Sequence, residues 1–430
     1  GGRPAMVSAA AGSVALVAAP LVQSHGLGYL FAAGLLAGAV QVVFGLMKLG
    51  VLMRFVSSSV RTGFVNALAI LIFSAQLPHL VGAGAATWGA LALGLVLIYG
   101  LPWLGQRLQW AALTAIPSPL ICVVVLTVLT SALGLPLPTV ASLGQLPDSL
   151  PMFALPDVPV SLDTLRIILL PALAIAMVGL LESVLTAAVV DEMTDTPSNK
   201  NRECTGLGLA NMTASVFGGI AGCGMIGQAV GNVKYGGRGR LSTLFAGVFL
   251  LILMVVLKPW VSQVPVIALV AIMVMVSAET FDWKSLGTVV RHPRLSSAVM
   301  LATVAVTLAT HNLAAGVGVG VVLSGVFFAF KVSRMLSVQV HDDGATGLRT
   351  WRVSGQVFFA SADAFIEAFD VRSVAGRPVC LDVTQAHFWD ITAVAALDKV
   401  VQRLRHHGCT VQVVGLNGAS AVLIDRMGAS

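Results

Sequence analysis

Residues 167–190 read "IILLPALAIAMVGLLESVLTAAVV" and contain one ionisable side chain, Glu182. A run of about 20 apolar residues is long enough to cross a bilayer as a helix. A carboxylate at the centre of such a helix costs roughly 2.5–3.5 kcal/mol to insert, so it usually faces a bundle interior or an aqueous cavity. The stretch therefore predicts a membrane-spanning helix with Glu182 on its interior side.

Similar apolar runs recur along most of the chain. Of its 430 residues, 57% are hydrophobic and 10% are charged, whereas a soluble domain carries about 25% charged residues. The runs lie at 5–22, 28–46, 62–81, 87–104, 111–134, 166–190, 205–220, 241–257, 262–278, 295–310 and 313–330, with a shorter one at 223–233. We therefore predict a polytopic α-helical membrane protein with about twelve membrane segments, one of them short.

The distribution of Lys and Arg predicts the orientation, because cytoplasmic loops carry an excess of these residues. Up to residue 334, all of them except Arg3, Arg166 and Lys258 fall in loops that alternate with nearly uncharged ones. The Lys/Arg-rich side is predicted to be cytoplasmic, and so is the C-terminus. We attribute the net charge of +6 to this topology and not to nucleic-acid binding.

After residue 334 the pattern becomes that of a soluble α/β domain. Acidic residues become frequent, and short strands alternate with helices. We predict strands at 349–360, 377–384 and 410–416, a helix at 361–370 with Ser361 as N-cap, a helix at 390–408 capped by Asp390, and a final helix at 419–427. An apolar stripe along the 390–408 helix, formed by Val394, Leu397, Val401 and Leu404, is expected to pack on the sheet. The domains are thus 1–334 in the membrane and 338–430 outside it.

Thr186 follows Glu182 by four residues, so both side chains share one helix face. A carboxylate and a hydroxyl are oxygen ligands that suit a Na⁺ site, and the carboxyl could instead carry a proton. The alternative is a structural hydrogen bond between helices. The five cysteines form no C-x-x-C pair and indicate neither a zinc site nor a disulfide framework. We find no nucleophile–base pair and predict that the protein is not an enzyme and needs no cofactor.

Two glycine-rich stretches precede short helical segments in a similar way. "GGRPAMVSAAAG" begins at Gly1, and "GGIAGCGMIGQAVGNV" begins at Gly218. Interrupted helices at matching positions of two halves point to a transporter's midplane site. Their N-termini offer free N–H groups and positive dipole ends, which favour an anion.

These stretches, together with "GLLESVLT", "DEMTDT" and "NRECTGLGLAN", resemble the SulP family of anion transporters, called solute carrier family 26 in animals. The tail, with "CLDVTQAHFWDITAVAALDKV", resembles the STAS domain that closes such transporters. The resemblance implies two inverted repeats of seven spans, of which the third to the fourteenth are present. The first two spans are expected to precede the sequence given.

The resemblance also implies where the ligands bind. Two half-helices would meet at the anion, and the coupling carboxylate would be Glu182, with Thr186 beside it as a further Na⁺ ligand if the protein is sodium-coupled. The anion-binding residues would be Ser8, Ala11, Gly12, Ser13, Ala221, Gly222, Cys223, Gly224 and Met225. Many relatives have a hydroxyl residue at Ala11 and a Thr at Cys223, so backbone N–H groups are expected to matter more here.

The sequence leaves several functional hypotheses open. The first is secondary transport of sulfate or bicarbonate across the cytoplasmic membrane, coupled to Na⁺ or H⁺. An uncoupled anion channel or exchanger and a membrane sensor with a STAS output are the alternatives. By resemblance, the STAS domain is expected to support a homodimer. Thr392, in the "DIT" segment, is either a regulatory phosphoacceptor or an ordinary first-turn helix residue.

Overall fold

A computed structural model describes residues 2–50, 56–108, 116–144, 150–291, 294–342 and 348–416. The chain divides into two compact units, Gly1–Val321 and Val322–Ser430. The first unit is built of helices and one small two-stranded sheet, and the second contains a four-stranded sheet.

Each apolar run predicted from the sequence contains a helix, although part of the 111–134 run lies outside the described residues. The helices are α1 (Gly12–His25), α2 (Leu27–Leu46), α3 (Ser58–Ser74), α4 (Ala85–Leu108), α5 (Ser118–Leu133), α6 (Val140–Leu143), α7 (Leu162–Thr194), α8 (Lys200–Val216), α9 (Ile226–Lys234), α10 (Arg240–Val255), α11 (Lys258–Ser262), α12 (Val266–Thr280), α13 (Trp283–Arg291), α14 (Arg294–Thr310) and α15 (Leu313–Ser333). Strand β1 (Ser8–Ala10) precedes α1, and β2 (Gly222–Gly224) precedes α9.

Among the described residues, five apolar helices are each long enough to cross a membrane. They are Leu27–Leu46, Ser58–His79, Ala85–Gly105, Leu162–Thr194 and Ala315–Ser333. Further apolar helices are shorter, at 118–133, 240–255, 266–280 and 294–310. Helices α1 and α9 are short because each begins only after a strand, as the glycine-rich stretches predict.

Helix α7 carries the opening stretch and is the most enclosed of the five. Of its most apolar window, 56% is buried, against 22% for α4 and for α15. The helix begins where the Ser161 hydroxyl accepts a hydrogen bond from the Thr164 N–H at 3.1 Å. It ends at Asp195, whose φ of 49° is left-handed. At the other extreme, α10 has no buried residue, as expected of a helix surrounded by lipid.

Small residues allow the helices of the first unit to approach closely. A Cβ added at Gly38 of α2 would lie 2.6 Å from the carbonyl oxygen of Gly208 in α8. A Cβ at Gly316 of α15 would lie 2.8 Å from the carbonyl oxygen of Thr303 in α14. Gly316 begins a G-x-x-x-G motif in the last span, and its lack of a Cβ allows α14 and α15 to pack closely.

Arg3, which departs from the predicted charge pattern, is buried in an ion-pair network. Its Nε lies 2.9 Å from Asp191 Oδ1, at the end of α7, and the same carboxylate pairs with Lys200 Nζ at 2.6 Å. The Arg3 backbone N–H also donates to the buried carboxylate of Glu203 in α8, at 2.7 Å. The segment before β1 is therefore tied to α7 and α8.

The second unit has the strand–helix alternation that the sequence predicts. Its elements are β3 (Ser337–Asp342), β4 (Arg349–Val357), α16 (Ala362–Glu367), β5 (Pro378–Phe388), α17 (Ile391–His406) and β6 (Thr410–Val414). The sheet order is β3-β4-β5-β6, with β3 antiparallel to β4 and the other pairs parallel. Three residues of the apolar stripe of α17, Leu397, Val401 and Leu404, pack in one core with residues of the sheet, as expected, and Val394 is also buried. Strand β3 is missing from the sequence prediction.

The two predicted caps have different outcomes. Asp390 caps α17, because its Oδ1 accepts a hydrogen bond from the Ala393 N–H at 2.8 Å. Ser361 occupies the predicted N-cap position of α16, but its side chain makes no cap hydrogen bond. Its hydroxyl instead donates to the Gln356 carbonyl at 2.9 Å and accepts from the Phe358 N–H at 3.0 Å, which holds the turn after β4. The predicted helix at 419–427 lies outside the described residues.

Candidate functional site

Two strand–helix elements that are far apart in the sequence meet inside the first unit. Strands β1 and β2 are antiparallel, with Ser8 opposite Gly224, Ala9 opposite Cys223 and Ala10 opposite Gly222. Helix α1 begins at Gly12 directly after β1, and α9 begins at Ile226 directly after β2. Antiparallel pairing places the two helix starts at opposite ends of this three-residue ribbon, and residues from both starts line one cavity.

Neither helix N-terminus is capped by a side chain. The N-cap residues are Ala11 and Met225, both extended and both without a polar side chain, and neither first turn contains an acidic residue. The first N–H groups of an α-helix have no partner within the helix. Both helices therefore present free donors and a positive dipole end, which together attract an anion.

These helix ends open into a cavity of about 770 Å³. Its lining includes Ala11, Gly12 and Ser13 from the first element and Gly224, Met225, Ile226, Gly227 and Gln228 from the second. The opposite walls come from α3, from α12 and from two prolines before and within α5: Phe64, Val65, Leu68, Ile72, Pro117, Pro119, Met275, Val276, Glu279 and Thr280. A largely apolar wall with a few convergent polar groups is typical of a small-ligand site.

Glu182 reaches this cavity from α7. Its Oε2 accepts a hydrogen bond from the thiol of Cys223, which is fully buried in β2. The Ser13 hydroxyl neighbours both groups, yet its oxygen is buried and has no hydrogen-bond partner of good geometry among the described residues. The Glu182 carboxylate and the Ser13 hydroxyl thus lie in one site with the two helix N-termini.

Thr186 shares a face of α7 with Glu182, as predicted, but it does not line the cavity. It is fully buried, and its Oγ1 donates a hydrogen bond to the Gly224 carbonyl oxygen at 2.7 Å. One turn earlier, Ser183 Oγ accepts from the Gly224 N–H at 2.8 Å. Helix α7 therefore holds β2 in place with two side chains, and the oxygen of Thr186 lies behind the strand.

The remaining predicted anion-binding residues divide into two groups. Ala11, Gly12, Ser13, Gly224 and Met225 line the cavity. Ser8 and Gly222 belong to the small sheet and do not line the cavity, and Ala221, which directly precedes β2, is buried.

The sequence prediction misses the walls on α3 and α12. Their lining residues are mostly apolar and look like any lipid-facing or core position, so nothing in the sequence distinguishes them. Glu279 is the exception, because it is an acidic residue at the end of an apolar run and lies in the cavity wall with Thr280. An ionisable residue next to a span is a signal that could have identified α12.

Within the described ranges, no three His, Cys, Asp or Glu residues form a group that could hold a metal ion. The polar atoms that do converge are oxygens and backbone groups. Carboxylate oxygens and backbone carbonyls of interrupted helices are the ligands that bind Na⁺ in membrane carriers. The site thus has donors for an anion and acceptors for a small hard cation.

Known families match nearly the whole chain. The profile of the sulfate permease family matches residues 1–91 and 84–303, and that of the STAS domain matches residues 339–430. A Bacillus subtilis (strain 168) protein named "Putative sulfate transporter YbaR" is 48% identical over 427 residues, which cover 99% of this chain and 87% of that protein. The "Bicarbonate transporter BicA" of Synechocystis is 24% identical over 470 residues, covering 99% of this chain and 82% of that protein.

Solved structures share the fold. The overall structure of SLC26A9 superimposes with a TM-score of 0.84 at 17% identity and covers all of this chain and 79% of that one. The transmembrane domain of a cyanobacterial bicarbonate transporter, BicA, gives a TM-score of 0.62 at 25% identity, covering 75% of this chain and 85% of that one. The predicted fold class, a helical transporter unit followed by a small α/β domain, is confirmed.

Proposed function

Because this chain belongs to the sulfate permease family, we propose that it moves a small inorganic anion, sulfate or bicarbonate, across the cytoplasmic membrane by secondary active transport. One observation carries the proposal: two uncapped helix N-termini open into one cavity beside the Glu182 carboxylate. The names of the relatives, which include a sulfate and a bicarbonate transporter, support the choice of anion.

The anion is held by backbone groups and not by a cationic side chain. The described residues that line the cavity include neither Lys nor Arg. The N–H groups at the starts of α1 and α9 supply the hydrogen bonds, and the Ser13 hydroxyl, which lines the same cavity, adds another donor. A site of weak, neutral donors suits a carrier, because the anion must leave as readily as it enters.

Glu182 provides the coupling. Its charge opposes an anion in the same cavity, since like charges at short range repel strongly where water is limited. Binding of Na⁺ or H⁺ to the carboxylate removes this charge and allows the anion to bind. For Na⁺, backbone carbonyls of the interrupted elements complete the site, and Thr186 supports it by holding β2 through its hydrogen bond to the Gly224 carbonyl.

The cavity continues toward the N-terminal end of α3. A smaller cavity of about 300 Å³ shares Val65, Leu185 and Ile226 with the main one and is also lined by Arg61 and Asp282. Arg61 belongs to the Lys/Arg-rich side, so this route leads to the cytoplasm.

The C-terminal STAS domain also lies in the cytoplasm and supports a homodimer. Thr392 is exposed in the first turn of α17, where a kinase could reach it.

Uptake by reconstituted protein tests this proposal. Full-length protein in liposomes is given radiolabelled sulfate or bicarbonate, with the Na⁺ gradient and the pH gradient imposed separately. We expect saturable uptake of one of these anions, driven by one of the two cation gradients. No uptake of either anion would refute the transport proposal. Currents that rise linearly with voltage and do not saturate would identify the protein as a channel.

A further inference from the structure

The outer edge of β2 is held by side chains instead of a third strand. Opposed residues of an antiparallel pair alternate between hydrogen-bonded and non-hydrogen-bonded positions. The Met225 N–H donates to the Val7 carbonyl at 2.9 Å. The backbone groups of Gly222 and Gly224, which lie at the intervening positions, therefore face away from β1.

Asn211 of α8 satisfies both outward groups of Gly222. Its Oδ1 accepts from the Gly222 N–H at 2.8 Å, and its Nδ2 donates to the Gly222 carbonyl at 3.1 Å. This is the pair of bonds that a neighbouring strand would make. The side chain is only 3% exposed, so no water replaces these bonds if they are lost.

Gln41 of α2 fixes the orientation of the Asn211 amide. Its Oε1 accepts a second hydrogen bond from Asn211 Nδ2 at 2.8 Å, and its own Nε2 donates to the Ala176 carbonyl of α7 at 3.2 Å. Gln41 is fully buried. The two amides thus form a continuous chain of hydrogen bonds from α7 through α2 and α8 to β2. These bonds fix which end of each amide is the oxygen and which is the nitrogen.

We infer that Asn211, oriented by Gln41, is a positioning residue for transport. It does not line the cavity. It fixes Gly222, and through it Cys223, whose thiol meets Glu182, and the start of α9. The backbone donors for the anion and the carboxylate for the cation are thereby held in one geometry. The inference rests on the proposed function for its transport readout, whereas its structural readout does not require transport.

The structural readout is the alkylation rate of Cys223 in the full-length protein, followed by mass spectrometry. Cys122, a second fully buried thiol that belongs to a different core cluster, is the internal standard. Asn211→Ala removes the clamp from β2. Because loss of buried hydrogen bonds is worth about a factor of ten or more in an equilibrium, we expect Cys223 to react about tenfold faster while Cys122 is unchanged.

The matched control is Thr213→Ala. Thr213 lies on the same helix, is exposed at its surface, and bonds only the carbonyl of its own helix at Leu209. We expect wild-type labelling of both thiols in this variant. Gln41→Met leaves the two bonds from Asn211 to Gly222 in place and removes only their support, so a smaller increase at Cys223 is expected. This variant also supplies the test if Asn211→Ala does not reach the membrane.

The transport readout is the uptake of radiolabelled sulfate and bicarbonate. A displaced β2 weakens the anion site, so Asn211→Ala should raise KM about tenfold and change the maximal rate by no more than about threefold. Equal labelling of Cys223 in the variant and the wild type would overturn the inference. So would a parallel rise at Cys122, which would mean general loosening, or a lower maximal rate at unchanged KM. If the wild type transports neither anion, the proposed function fails, and the labelling result still decides whether Asn211 holds β2.

Discussion

Replacing Glu182 by Gln removes one negative charge from the cavity and leaves the side chain almost the same size. The Cys223 thiol can still donate to the amide oxygen, so the contact between α7 and β2 is preserved. If Glu182 carries the coupling, this change separates cation binding from anion binding. The variant resembles the neutralised state, in which Glu182 no longer opposes the anion.

The size of the effect follows from the attraction between the carboxylate and a monovalent cation. Two unit charges about 4 Å apart interact by roughly 4 kcal/mol at an effective dielectric constant of about 20, and about 1.4 kcal/mol is a factor of ten in affinity. The upper limit is therefore about a 10³-fold loss of cation affinity. Because Glu182 is only half-buried and water in the cavity screens the pair, we expect about a 10²-fold loss.

The assay compares net uptake with exchange in proteoliposomes. For Glu182→Gln we expect net uptake that no longer responds to a Na⁺ gradient or a pH gradient, and retained exchange of labelled for unlabelled anion. Asp163→Asn is the matched control, since it makes the equivalent carboxylate-to-amide change on the same helix at an exposed position. Cation-driven uptake by Glu182→Gln at the wild-type level would refute the coupling role.

Three further outcomes are expected. Gly38→Ala should lower the melting temperature, because the added Cβ would lie 2.6 Å from a carbonyl oxygen of α8 and overpacking costs about 1–3 kcal/mol. Gly89→Ala is the control and should leave the melting temperature unchanged, because its added Cβ would meet no atom within 4 Å. Hydrogen bonds from Thr384 hold the pKa of Asp382 below its ordinary value of 3.8. The stability that these bonds contribute is present above that value and is lost as the pH falls through the lower pKa of the folded state. The melting temperature of Asp382→Asn should therefore lack this loss at acid pH, and a melting temperature that depends on pH as in the wild type would contradict the prediction. Deleting residues 338–430 should reduce dimer yield without altering the order of anion preference, and a changed order would mean that the tail forms part of the pathway.

The sequence predicts the membrane helices well because their cause is local. Run length and the absence of charge decide whether a segment is stable in lipid, so the 167–190 stretch identifies α7 without knowledge of its neighbours. The prediction of two interrupted helices has the same basis, since glycine-rich breaks are visible in the sequence. Strand β3 is missed because six residues directly after the last span give little periodicity to interpret.

The pairing of side chains across the site is not local and could not be predicted. Thr186 lies on the predicted face of α7, yet its hydroxyl bonds Gly224, which is 38 residues away. Gln41 and Asn211 are separated by 170 positions, and each alone resembles an ordinary polar residue in a small-residue helix. Only the packing of α2 against α8, which small residues permit, brings them together. The apolar cavity walls on α3 and α12 could not be predicted either, because tertiary packing alone brings them to the site.

The most direct test of the account measures how strongly anion binding depends on the cation. Isothermal titration of the purified protein with sulfate and with bicarbonate, repeated over a range of Na⁺ concentrations and pH values, gives the coupling free energy between the two ligands. Since such coupling is reciprocal and typically 1–3 kcal/mol, we expect one anion to bind about tenfold more tightly as either Na⁺ or H⁺ increases, and Glu182→Gln to bind it equally under all conditions. Anion affinity in the wild type that is independent of both Na⁺ and pH would contradict the claim that Glu182 couples the two ligands.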